Sequence, residues 1–280
     1  MASFKSVFRF RDEDGQIQYS EAGESQCHTG ESLVGRAVET FAGKNPWIKT
    51  LCSVESDKGF REQTPLFLCV GLNYKQHAGE ANMATGAYPT IFTKPPDALA
   101  GPFEDIPIHP SYASMDYEAE LCVVLGKDCK NLGRSDDVSE YILGYTAGNY
   151  VSSRWWQMPE RSNNQHAVAK SFDKFAPIGP LIMSTDVIPD PARLRRECFV
   201  NGDKRQSPLI EDQILDIPTV ILHLSRGATL RKGMVIMMGM PSGVAAFMTP
   251  LAWLKSGDIM EVKIDKIGAI KNVMRFEGSG

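Results

Sequence analysis

Between Ser114 and Lys127 the chain reads SMDYEAELCVVLGK, in which Asp116, Glu118 and Glu120 alternate with Tyr117, Ala119 and Leu121 before a run of apolar residues. A period of two predicts a strand with the three carboxylates on one face, and the apolar run predicts burial on both faces. A solvated edge or a cation held between the carboxylates would each account for such a face. Short apolar runs divided by Gly and Pro recur along the chain, as TIFTKPP, FAPIGPLIM, MVIMMGMPSGV and DIMEVKIDKIGAIKNVM. Helical periodicity is scarce and is clearest in DVSEYILGYT and PTVILHLSRG. The pattern predicts an all-β or β-dominated α+β fold rather than a doubly wound sheet.

Residues 1–60 read as a small N-terminal α/β unit ahead of a main domain over 61–280. SVFRFRDEDGQIQYS alternates around Asp14-Gly15, a hairpin signal, and ESLVGRAVETFAG carries a helical stripe that stops at Gly43. The stretch 234–254 is uncharged and long enough to cross a bilayer, but Pro241, Gly243 and Pro250 interrupt it. A short buried strand, a turn and another short element are expected there, with no membrane span.

A net charge of −4 gives no electrostatic reason to expect nucleic acid or an anionic membrane as partner. The six cysteines form no CxxC pair and several sit in apolar runs, as Cys69 does in LFLCVG, so reduced buried thiols are expected. The start, MASFKSVFRFRDEDG, has no signal-peptide pattern, and a cytoplasmic location is expected.

Four segments carry candidate chemistry. VGLNYKQHAGEAN places His77 and Glu80 three residues apart; on a helix they become neighbours, and a carboxylate beside an imidazole makes a general base. The same spacing suits an ordinary polar helix start. IFTKPPDALAGP ends a strand at Lys94, and AKSFDKFAPIGP offers Lys170; each is an oxyanion partner or a solvated lysine. GYTAGNYVSSRWWQ gathers Tyr150, Arg154 and Gln157, with Arg154 able to clamp a carboxylate or to tie down its own loop. No nucleophile elbow, phosphate-binding loop, HExxH or dinucleotide glycine pattern occurs.

Taken in order, GLNYKQHAGE, FTKPPDALAGP, DYEAELCVVLGK, GYTAGNYVSSRWWQ, KSFDKFAPIGP, VNGDKRQ, GMPSGV and LKSGDIMEVKIDKIGAIKN resemble the fumarylacetoacetate hydrolase family over about residues 65–275. The resemblance implies a mixed β-sandwich roll, a homodimer, a Mg²⁺ or Mn²⁺ site, and a small-molecule substrate that is an enolisable oxo-acid or 1,3-dicarbonyl. It implies Glu118 and Glu120 as metal ligands, His77 and Glu80 as the water-activating dyad, Lys170 as the enolate partner, and Lys94, Arg154 and Gln157 as pocket residues. Two positions depart from the pattern. Tyr150 stands where the family has a third, aspartate ligand, and Met240 stands where a threonine would face the substrate. Both make the pocket more apolar, and a phenol is a poor ligand for a hard cation.

Three readings follow. The first is an enzyme that hydrolyses or decarboxylates at a C–C bond, with metal held by Glu118, Glu120 and either Asn149 or Asp116. The second is a metal-poor isomerase or cyclase on a bulkier, polyketide-like dicarbonyl. The third is a non-catalytic family member, against which the paired His77 and Glu80 argue.

Overall fold

The computed structural model describes residues 5–11, 17–21, 64–84 and 86–278. The helix expected after residue 30, the Asp14-Gly15 turn and two of the cysteines lie outside them.

The strands run β1 (Ser6–Arg11), β2 (Ile17–Glu21), β3 (Phe67–Gly71), β4 (Thr90–Lys94), β5 (Leu99–Ala100), β6 (Ile106–Ile108), β7 (Met115–Asp116) and β8 (Ala119–Leu125). They continue as β9 (Ile142–Asn149), β10 (Ser152–Ser153), β11 (Ala176–Met183), β12 (Arg196–Val200), β13 (Asp203–Gln206), β14 (Val235–Met237), β15 (Ile259–Ile264) and β16 (Gly268–Phe276). The described helices are short: α1 (Lys75–Glu80), α2 (Arg154–Gln157), α3 (Pro159–Ser162) and α4 (Ile217–Leu224). The fold is therefore β-dominated α+β.

The largest sheet has the order β2-β1-β11-β9-β8-β14-β3-β4, with β5 added in parallel beside β11. A second sheet has the order β13-β12-β15-β16-β6, and β7 pairs with β10 in a ribbon. β1 and β2 pair antiparallel, as the hairpin signal predicts, and β1 then joins the main sheet through β11.

β8 shows why the two sheets stack. Leu121, Val123 and Leu125 enter one core with Cys198 and Val200 of β12, Val262 of β15 and Met274 of β16. Cys122 and Val124 face the other way, into a second cluster with Cys69, Tyr150, Ile178 and Met237. A strand covered on both faces reads as a continuous apolar run, which is what ELCVVL is. The alternation puts Glu120 on the face of Cys122 and Val124. Gly148 pairs with Glu120 across the ladder, and a Cβ there would come 2.5 Å from the Cys122 sulfur, so the packing requires glycine.

Two expectations are corrected. DVSEYILGYT is not a helix: one turn of 3₁₀ helix, Val138–Tyr141, leads straight into β9, because Ile142–Asn149 finds strands on both sides. The three acids do not share one strand face either. The chain breaks between β7 and β8, and Asp116 turns to a different set of partners. Other readings agree with the structure: α1 carries His77 and Glu80, β4 ends at Lys94, PTVILHLSRG supplies α4, and 234–254 forms β14, a turn and a 3₁₀ turn at Ala245–Phe247. Among the described residues no helix is long and apolar enough to cross a membrane. The described cysteines, Cys69, Cys122, Cys129 and Cys198, are free and buried.

Candidate active site

α1 follows directly on the end of β3, and Asn73 sets the junction. Its amide donates to the Leu215 and Met238 carbonyls at 3.0 and 2.8 Å, and its carbonyl accepts from Leu215 N–H at 2.8 Å. One turn later His77 Nδ1 lies 3.0 Å from Glu80 Oε2. The other Glu80 oxygen accepts from Gly243 N–H at 3.2 Å, so the carboxylate is tied to the loop after β14. Gly243 adopts φ +92°, and any Cβ there would collide with the Arg205 carbonyl oxygen; only glycine can present its N–H this way. The Phe247 and His77 rings form a T-shaped pair with centroids 5.4 Å apart.

The same loop reaches the acidic strand. Asp116 accepts from Ala245 and Ala246 N–H at 2.8 and 3.2 Å, from Tyr117 N–H at 2.9 Å, and from Arg154 Nε at 2.8 Å. Its carboxylate is thus consumed in bracing the loop, and it is no metal ligand. Arg154 is likewise fully engaged: Nη1 donates to Gln157 at 3.0 Å, and Nη2 meets Glu118 Oε1 at 2.8 Å and the Met240 sulfur at 3.7 Å. Arg154 thus ties Asp116, Glu118, Gln157 and Met240 together from one guanidinium. Gln157 passes the chain of contacts to His166 Nδ1 at 2.6 Å.

Glu118 Oε1 accepts from Lys170 Nζ at 2.9 Å and from Ser152 at 3.0 Å, besides Arg154. Burial alone would raise this carboxyl, but Lys170 and Arg154 prevail and hold it at about 2 against an ordinary 4.5. A carboxyl held below its unfolded value stabilises the fold above pH 4.5 and loses that contribution as pH falls toward 2, here about 3 kcal/mol. Glu118→Gln should flatten that acid limb in urea denaturation measured across the interval. An acid limb of unchanged slope would mean that these cations do not hold Glu118 ionised. Glu120 goes the other way. Burial, with the negative Glu118 adding to it, raises its carboxyl to about 8 despite the pull of Arg196.

Tyr150 fills the space beside this pair. Its N–H donates to the Glu118 carbonyl at 2.8 Å, and its ring is buried against Phe92, with centroids 5.6 Å apart. Lys94 Nζ sits 3.7 Å and Lys170 Nζ 4.2 Å from the Tyr150 ring centroid, both cation–π contacts. Lys94 also donates to the Val151 carbonyl at 3.3 Å and to that of Phe175, and burial lowers its ammonium to about 7. Burial raises the Tyr150 phenol well above its ordinary value, so it stays protonated. Two buried polar atoms of this floor, Glu120 Oε2 and Asn149 Nδ2, have no protein partner, and the Tyr150 hydroxyl lies against the Cys69 thiol.

The divalent ion that the resemblance implies can be tested against these donors. Glu120 Oε2 would suit a cation. Glu118 Oε1, however, already carries two cationic side chains and a hydroxyl, Asp116 is consumed elsewhere, and a protonated phenol replaces the third carboxylate. Mg²⁺ and Mn²⁺ need several hard, anionic oxygens. The residues present do not fit such an ion.

The structure thus gathers Glu118, Glu120, Tyr150, Lys94, Lys170 and Arg154 on one floor, and the loop over Met238–Phe247 links that floor to His77 and Glu80. Sequence reasoning missed Asn73, Ser152, His166, Arg196 and Gln206. Gln206 donates to the Pro241 and Ser242 carbonyls at 3.0 and 3.1 Å, and Arg196 to that of Gly239 at 3.1 Å, so both hold the loop.

Residues 67–275 match the fumarylacetoacetate hydrolase C-terminal family. The chain is 34% identical over 255 residues to a mitochondrial oxaloacetate tautomerase of Xenopus laevis, covering 91% of this chain and 76% of that one. The crystal structure of 2-hydroxyhepta-2,4-diene-1,7-dioate isomerase from Mycobacterium marinum superposes with a TM-score of 0.75 at 28% identity, over 98% of this chain and all (100%) of the other. Fumarylpyruvate hydrolase from Pseudomonas aeruginosa, solved with Mn²⁺ and pyruvate, superposes with a TM-score of 0.68 at 27% identity, over 76% and 91% of the two chains.

Proposed function

Since this chain belongs to the fumarylacetoacetate hydrolase family, we propose that it is an enzyme that moves a proton on an enolisable 2-oxo acid or 1,3-dicarbonyl, isomerising it without breaking a C–C bond. The observation that carries this reading is the His77–Glu80 pair, fastened through Gly243 to the loop that also meets Arg154 at Met240. Glu80 fixes the imidazole proton on Nδ1 and leaves Nε2 as the base. Nε2 takes a proton from the carbon beside the substrate carbonyl. Lys170, which has one hydrogen bond to Glu118 and donors to spare, receives the enolate oxygen. The imidazolium then returns the proton to another atom of the same conjugated system.

Isomerisation asks for one base and one electrophile, and both are present. The tautomerase and isomerase among the relatives support this class, while the hydrolase among them holds Mn²⁺, for which the present donor set does not fit. The test is the decay of enol absorbance for oxaloacetate and for longer 2-oxo dicarboxylates and 1,3-dicarbonyls. An acceleration over buffer of about 100-fold or more is expected for at least one of them. Decay at the buffer rate across the panel would overturn the assignment.

A further inference from the structure

We propose that Tyr150 has exchanged the divalent cation of this site for the protein's own ammonium groups, so that the chain works without metal and Lys170 is its electrophile. The claim has two independent supports, space and charge.

Tyr150 is fixed beside Glu118 at the position where the family pattern has an aspartate. Its backbone N–H is on the Glu118 carbonyl at 2.8 Å, and the ring is 1% exposed. The ring is not an inert plug, because both lysines lie against it, at 3.7 and 4.2 Å from its centroid. An aromatic ring is one of few neutral groups that attract a buried ammonium, and it does so without the negative charge that would also attract a metal. Aspartate at this position would pair with the lysines and invite a divalent ion; tyrosine does only the first.

The charge balance agrees. Arg154 and Lys170 already pair with the Asp116 and Glu118 carboxylates, and two further basic side chains, Lys94 and Arg196, are buried nearby. The carboxylates of the cluster thus already have their cations. A divalent ion would add charge of the same sign in a space with little water to screen it. The atoms left unpaired, Glu120 Oε2 and Asn149 Nδ2, are a carboxyl oxygen and an amide donor. Their mixture suits an organic oxyacid better than a naked cation.

The electrophile assigned to Lys170 rests on the proton-transfer reading; the exclusion of metal does not. The experiment is therefore direct: titration of Mn²⁺ into chelator-stripped protein, followed by the electron paramagnetic resonance signal of free Mn²⁺, for the natural protein, Tyr150→Asp and Tyr150→Phe. The natural protein and Tyr150→Phe should leave the free signal undiminished at equimolar Mn²⁺. Tyr150→Asp should bind one ion at least about tenfold more tightly, since affinity for hard cations follows the count of anionic ligands. Stoichiometric binding by the natural protein would overturn the proposal, and so would a folded Tyr150→Asp with no gain. Should Tyr150→Asp fail to fold, the natural protein and Tyr150→Phe decide alone. An enzyme that enolises nothing would sink the proton-transfer reading and leave the Mn²⁺ result to be judged separately.

Discussion

His77→Ala should lower the rate constant for enolisation by two to four orders of magnitude, the usual contribution of a positioned general base. The loss should fall on kcat, because the imidazole acts on the proton in flight and is not needed to hold the substrate. Glu80→Gln should cost nearly as much, about 100-fold or more: an amide whose one oxygen accepts from Gly243 N–H turns its NH₂ toward Nδ1, which shifts the ring proton to Nε2 and removes the base. Initial rates of enol decay, with circular dichroism to confirm folding, measure both. Equal rates for natural protein and His77→Ala would remove His77 from the chemistry.

Lys170→Met is expected to cause the other large loss, a drop in kcat of about 10²–10³-fold, comparable to deleting an oxyanion donor elsewhere. The fold should survive, because Glu118 keeps Arg154 at 2.8 Å and Ser152 at 3.0 Å and remains paired. Methionine also preserves the reach of the side chain against Phe92 and Tyr150. The kcat–KM split separates two roles. A fall mainly in kcat marks a group that meets the developing enolate, and a rise mainly in KM marks one that only attracts an anionic substrate.

Much of this site was legible locally. Alternation in DYEAELCVVL placed Glu118 and Glu120 on one face and buried the strand on both, and the spacing of His77 and Glu80 made them neighbours on a helix, as they are. Long-range partners were not legible. Asp116 shares the period of the two glutamates, yet its carboxylate serves N–H groups about 130 residues away, at 245 and 246. DVSEYILGYT reads with helical periodicity, but from Ile142 onward strands on either side decide its conformation, as tertiary pairing commonly overrides local preference. Arg196 offered one local signal that went unread. In RECFV it shares parity with core-facing Cys198 and Val200, and a charged residue at a core position calls for a functional or bracing partner. Gln206 and Asn73 carried no such mark, since their partners lie on distant segments that only the fold brings near.

The departure at Tyr150 was visible as a mismatch to a family pattern, while its consequence was not. That required knowing that two lysines from separate segments, one at the end of β4 and one before β11, converge on its ring.

The central claim, proton transfer without C–C cleavage, is tested most directly by proton NMR of an enolisable 2-oxo acid incubated with the natural protein in D₂O and excess chelator. The account predicts that the signal of the hydrogens beside the carbonyl fades far faster than in buffer while the carbon skeleton stays whole. Cleaved or decarboxylated products appearing without prior exchange, or exchange abolished by the chelator, would contradict it.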